Sequence, residues 1–373
     1  MAEGQAGNPQ PAEFEKVLVA ADTRVASFET RERTSVERAQ HLLHSNPALV
    51  PLLVLIFSIV IFGVIVGGKF FSAFTLTLIL QQVAIVGIVG AAQTLIVLTA
   101  GIDLSVGAIM VLVSVVIGKF AINYGLPPAF ALVFGLLLGL ACGAINGVLV
   151  AHVKLPPFIV TLGTWFIYSA ANFIYSENET IRAQDIEAKA PVLQFFGSTL
   201  KVGGTVHVFG QTLELGVAVF TYAVILMIVI AAFLWYVFNH TAWGRHVYAI
   251  GDDPEAARLS GINVNGMLVS VYAVAGLICA VAGWALIGRI GSVSPQAGQF
   301  ANIESITATV IGGTSLFGGR GSILGTLFGA LIVGVFGMGL RLWGTDPQWT
   351  QLTVGALIIV AVAIDQWIRK VAS

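Results

Sequence analysis

Long apolar runs, separated by short polar breaks, fill the chain from residue 48 almost to its end. Stretches such as Leu52 to Val66 and Val217 to Phe238 are continuously apolar. A bilayer core takes roughly 20 apolar residues per helix. On that ruler the pattern predicts about ten spans, near 48–67, 76–98, 104–120, 128–150, 158–176, 217–238, 267–288, 301–318, 323–342 and 350–367. Closed barrels also cross membranes, but they show short alternating segments. A helix satisfies its own backbone in lipid, so helices fit these continuous runs better. The predicted fold is all-α, a polytopic membrane protein with about ten transmembrane helices in residues 46–373. Residues 1–45 are polar and are expected to form a solvated cytoplasmic arm. The first span is expected to double as an uncleaved insertion signal.

Composition agrees with lipid as the solvent. The chain is 57% hydrophobic and 10% charged, against about 25% charged in soluble domains. A formal net charge of -1 gives no general argument for nucleic-acid binding. Cys142 and Cys279 fall inside apolar runs and read as packing residues rather than a disulfide or a metal pair. The six histidines form no ligand-spaced cluster, so no metal site is expected. With both termini in the cytoplasm, 11 basic residues lie inside and 7 outside. That bias supports the orientation. It places 177–216 outside, as a possible small cap, and 239–266 inside.

The inside loop carries its own helix signals. Asp252 or Asp253 can cap, and Pro254 suits the first turn. Glu255, Ala256, Ala257, Arg258 and Leu259 favour helix, and Gly261 can end it. The expectation is a helix of about two turns between two spans. On spacing alone it is an ordinary capped surface helix, or one that enters a groove on a partner. In the fourth span Gly135, Gly139, Gly143 and Gly147 recur every four residues. They form a smooth stripe for close packing, within the subunit or between two copies.

Asp103 is the odd residue in Ala100 to Gly107. An ionisable group at a membrane helix end is a functional candidate. It also reads as an N-cap for a span beginning at Leu104, with Ser105 in the first turn; the two roles are compatible. A path for a hydroxyl-rich solute needs neutral hydrogen-bonding groups and aromatic faces. Candidates for it are Gln93, Asp103, Ser105, Asn146, Thr161, Thr164, Trp165, Asn172 and Glu304. Buried polar groups in a bundle also serve as interhelical hydrogen bonds, which is the competing reading of each.

Four stretches, in order, carry a resemblance. They are Ala100-Gly-Ile-Asp-Leu-Ser-Val-Gly107, Lys154-Leu-Pro-Pro-Phe-Ile-Val-Thr-Leu-Gly-Thr164, Glu255-Ala-Ala followed three residues later by Gly261, and the glycine-rich run from Ile311 to Gly329. Together they resemble the permeases of bacterial ABC importers for ribose, xylose, arabinose, galactose and fructose. The resemblance extends over about 48–370 and leaves the N-terminal arm uncovered. It implies a coupling helix at Pro254–Gly261 and a second copy of the chain. It also implies cytoplasmic ATPase subunits that carry ATP and Mg, and a periplasmic sugar-binding protein that holds most of the specificity. No cofactor is expected on this chain, because the Gly-x4-Gly-Lys-Ser/Thr phosphate loop does not occur. Neither a nucleophile elbow nor a zinc-binding pair is present either, so no catalytic centre is expected. The implied solute is a fructose- or ribose-like sugar. The alternative is a solitary secondary transporter or channel for a small polar solute, for which Asp103 and Glu304 are the only acidic candidates. A nearer rival is a permease for branched-chain amino acids or nucleosides.

Overall fold

The computed structural model describes residues 48–208 and 211–372. The expected 1–45 arm lies outside the described residues. Among the described residues, eight helices are long and apolar enough to cross a membrane. They are α1 (Leu49–Val66), α2 (Ala73–Leu98), α3 (Val106–Gly118, continued by a π turn to Asn123), α4 (Pro128–Ala151), α5 (Pro157–Ser176), α7 (Tyr222–His240), α10 (Val264–Ile290) and α12 (Ile323–Trp343). Four more helices are short: α6 (Ala183–Lys189), α8 (Ala242–Asp252), α9 (Pro254–Leu259) and α11 (Ala301–Ile311). The last, α13 (Pro347–Ala372), has an apolar stretch over Gln348–Ala363.

The bundle has an inner and an outer set. Helices α2, α3, α10 and α12 are buried over most of their length, whereas α1, α4, α5 and α7 present large apolar side chains outward. Lipid is as apolar as the core, so that outward face needs no polar cover. Helices in this setting associate by close packing rather than by hiding oil from water. The glycine stripe supplies that packing. A Cβ on Gly139, Gly143 or Gly147 would collide with α10 at Gly276, Tyr272 or Val269, and one on Gly135 would strike Ile117 of α3. The stripe therefore serves packing inside the subunit.

Two expectations need correction. The predicted span at 301–318 is not one continuous helix. Only α11 is helical, about 16 Å at 1.5 Å per residue, and Gly313, Gly318 and Gly319 follow it with positive φ. Residues 291–322 thus return from the end of α10 to the start of α12 as loop, short helix and turn. Glycine, Pro295 and small polar residues interrupt the helical pattern there. The predicted spans beginning at 104 and 217 start later, at Val106 and Tyr222.

The helical fold has one addition. Thr199–Val208 (β1) pairs antiparallel with Gln211–Thr221 (β2) in the loop between α5 and α7, with an irregularity between Val202 and Gly204. The strand end is pinned to α2, where Val219 N donates to Thr77 Oγ1 at 3.2 Å. The same loop is tied to the 291–300 turn by paired backbone bonds between Ile181 and Val293. Lys119, on the π turn, is buried and donates to Tyr175 O at 2.7 Å and to Glu177 at 3.0 Å.

Candidate functional site

After Leu98 the chain folds back into the protein instead of leaving it. Gly101 N donates to Ile96 O at 3.1 Å. Tyr272 Oη sits 2.8 Å from where a Cβ on Gly101 would stand. Buried backbone needs partners, and this loop obtains them from four directions. The Gln93 amide of α2 pairs with both backbone groups of Asp103, at 3.0 and 3.2 Å, when its nitrogen faces the carbonyl. Thr161 of α5 donates to Ile102 O at 2.9 Å. Asn146 of α4 donates to Ser105 Oγ at 2.8 Å and more weakly to Asp103 Oδ2 at 3.5 Å. Asp103 Oδ1 accepts from Ser105 N at 2.6 Å and from Ser105 Oγ at 2.7 Å.

Asp103 is 2% exposed. Its carboxylate orders the entry to α3, which starts at Val106 rather than Leu104. Five of the predicted path residues, Gln93, Asp103, Ser105, Asn146 and Thr161, therefore form one network that clamps a helix start. Thr164 is buried beside them, with a long bond to Thr161 O at 3.4 Å.

The open space lies next to this clamp. A cavity of about 210 Å³ sits between α5, the first half of α3 and residues 295–302. Trp165, Ser169 and Asn172 reach it from one face of α5, at i, i+4 and i+7. Asn172 Nδ2 holds Pro295 O at 2.8 Å. Asn302 Nδ2 donates to Leu104 O at 3.3 Å, so the loop leading into α3 meets the first turn of α11 beside the cavity. A Cβ on Gly107 would stand 3.0 Å from Asn302 N.

Of the predicted path residues, Trp165 and Asn172 line this cavity, whereas Gln93, Asp103, Ser105, Asn146, Thr161 and Thr164 do not. Glu304 lies in the first turn of α11, partly covered. Ser169, Gln299 and Asn302 went unnoticed in the sequence. Ser169 completes the spacing that Trp165 and Asn172 begin. Gln299 and Asn302 follow Pro295 and Gly298, in a stretch whose pattern predicts a loop and the start of a span.

A second feature is the α8–α9 segment. Asp253 Oδ1 accepts from Glu255 N at 2.9 Å and from Ala256 N at 3.0 Å, and so caps α9. Pro254 follows in the first turn, and Gly261 leaves the helix at φ +86. Arg258 pairs with Glu255 at 3.1 Å, a surface pair of little energetic weight. Ala257 is 4% exposed and packs with Ile250 and Val264. Of the residues of the implied coupling helix, Ala257 thus faces the subunit itself. Ala256 faces outward, joined by Leu259 at 89% exposure. Behind α9, Gly251 of α8 is pressed on Leu98 O and Gly319 N, which are bonded to each other at 3.0 Å. Helix α8, on which α9 packs, is thereby seated on the end of α2 and on the glycine turn leading to α12. Among the described residues no group of three or more His, Cys, Asp or Glu is placed to hold a metal ion.

A family model described as the branched-chain amino acid transport system / permease component matches residues 75–362. The fructose import permease of Rhizobium meliloti is 66% identical over 365 residues, covering 98% of each chain. The ribose import permease of Bacillus subtilis is 36% identical over 311 residues, 83% of this chain and 90% of the relative. The xylose transport system permease of Escherichia coli is 32% identical over 344 residues, 81% of this chain and 87% of the relative. No solved structure matches the chain.

Proposed function

The chain belongs to the branched-chain amino acid transport system / permease component family, in its sugar-importer branch, and from that membership we propose that it forms the membrane path of an ATP-driven, binding-protein-dependent monosaccharide importer. It is a multi-pass membrane subunit. The observation that carries the substrate is the 66% identity to a fructose import permease along 98% of both chains. A fructose-like sugar is therefore the first candidate, with a ribose-like sugar next.

The division of labour follows from the same reading. A separate cytoplasmic ATPase binds ATP and Mg and meets α9 through Ala256, Leu259 and the Glu255–Arg258 edge. Motion passes from α9 through Gly251 to the end of α2 and the glycine turn. The opposite end of the bundle, with the hairpin and the Ile181–Val293 pairing, receives the periplasmic binding protein. Both termini lie in the cytoplasm in this scheme. Glu304 supports a second copy of the chain. It stays partly uncovered in the first turn of α11, beside exposed Phe300 and Ile303. A carboxylate there is costly against lipid. Protein or water from a paired subunit relieves that cost.

The test is uptake of labelled D-fructose by fructose-transport-deficient cells expressing the permease with its neighbouring ATPase and binding-protein genes. Uptake is expected to stop when ATP is depleted and to survive collapse of the proton gradient. The reverse pattern would return the solitary secondary transporter.

A further inference from the structure

We infer that the cavity between α5, α3 and residues 295–302 is a monosaccharide subsite within the permease itself, so that the sugar is inspected a second time at membrane depth. This rests on the importer reading above and adds to it a place and a chemistry.

A sugar ring has an apolar C–H face and a rim of hydroxyls. A site for it therefore needs a flat apolar wall and neutral hydrogen-bonding groups around it. The wall is Trp165, whose ring lies 4.7 Å from that of Phe166, tilted by 55°. The rim is Ser169, Asn172, Gln299 and Asn302.

Asn172 carries the argument furthest. It is 3% exposed, and its Nδ2 is committed to Pro295 O. Its Oδ1 has no partner. A buried acceptor left unpaired costs about 1–3 kcal/mol. A hydroxyl donor that reaches Oδ1 from the cavity, which Asn172 lines, removes that cost, and an apolar solute does not.

The charge of the walls narrows the choice. Among the described residues no Asp, Glu, Lys, Arg or His lines the cavity. An amino acid carries a carboxylate and an ammonium, and each needs a charged or densely hydrogen-bonding partner when it leaves water. These walls suit a neutral polyol and disfavour a branched-chain amino acid. Backbone outside regular structure is tolerated at membrane depth only where protein buries it or it lines a wet cavity. Pro295, Ala297, Gly298 and Gln299 line the cavity in this way, with Gly298 at φ +64 packed on Met110.

The test separates the subsite from the importer reading. Full-length permease in lipid nanodiscs is probed by saturation-transfer NMR with D-fructose, D-ribose, D-xylose and L-leucine, and the same variants are assayed for ATP-dependent uptake in cells. At least one sugar is expected to receive saturation from the wild type, and leucine is expected to receive none. Trp165→Ala is expected to weaken sugar binding about tenfold, Trp165→Phe to retain it, and Gln299→Ala, on the exposed rim, to change the preference among the three sugars. Thermal unfolding of each variant shows whether the fold is kept. If no sugar binds the wild type, or if Trp165→Ala and Gln299→Ala both bind all three sugars unchanged, the subsite is overturned. Normal ATP-dependent uptake alongside that result leaves the importer standing. Sugar binding without ATP-dependent uptake supports the subsite and sinks the importer reading.

Discussion

Leu259→Ser separates a docking role for α9 from a merely structural one. Leu259 is 89% exposed on a six-residue helix, so its side chain adds almost nothing to the fold of the isolated subunit. A surface change of this kind moves stability by at most about 0.5 kcal/mol. If α9 enters a groove on the ATPase, Leu259 is buried there, and burying a leucine is worth about 1.5–3 kcal/mol. Its loss should weaken the complex by about ten- to hundredfold. Ala257→Trp behaves differently. Ala257 is wedged between Ile250 and Val264, so a bulky ring disturbs the subunit itself, at about 1–3 kcal/mol. Gly261→Val leaves room around the side chain but forces a β-branched residue to φ +86, at a similar cost of about 1–3 kcal/mol. The assay is co-purification of the ATPase with tagged permease, together with sugar uptake and thermal unfolding of the permease alone. Leu259→Ser should unfold at the wild-type temperature, lose the ATPase and stop importing. Leu259→Ser that keeps both partner and uptake would refute docking through this face.

Other outcomes follow from the packing. Gly143→Ala pushes a methyl into Tyr272 O and should lower the unfolding temperature, whereas Gly163→Ala on α5 meets nothing within 4 Å and should raise it slightly. Asn146→Leu removes the donor at 2.8 Å from Ser105 Oγ and should destabilise the Asp103 loop by about 1–3 kcal/mol, read as lower thermal stability and lower uptake per molecule. Cysteines placed at Ser198 and at Ser260 should be labelled from opposite sides of the membrane, with little background because Cys142 and Cys279 are buried. Glu179→Lys should weaken docking of the binding protein most at low salt; it is a cleaner probe than Glu177, which is already paired with Lys119.

Features set by neighbours in the chain were legible without a structure. The stretch from Ala48 to Gly67 had to be a span, because about twenty mostly apolar residues in a row have few other stable settings. Asp253, Pro254 and Gly261 delimited α9 because caps act within one turn. The four glycines had to be a packing stripe, since their spacing puts them on one side of α4. The partner of that stripe was not readable. Tyr272 and Gly276 stand more than a hundred residues away, and only the folded bundle brings α10 against α4. The same holds for the site. Trp165, Asn172, Asn146 and Thr161 are all polar or amphipathic residues in apolar helices, and nothing local distinguishes them. Asn172 faces the cavity because Pro295 meets it there, and Asn146 is spent on Ser105 because α4 passes the Asp103 loop. Helix spacing says which residues share a face. Which faces then meet depends on backbone approach between distant segments, and that decides whether an amide holds the fold or is left with an acceptor free.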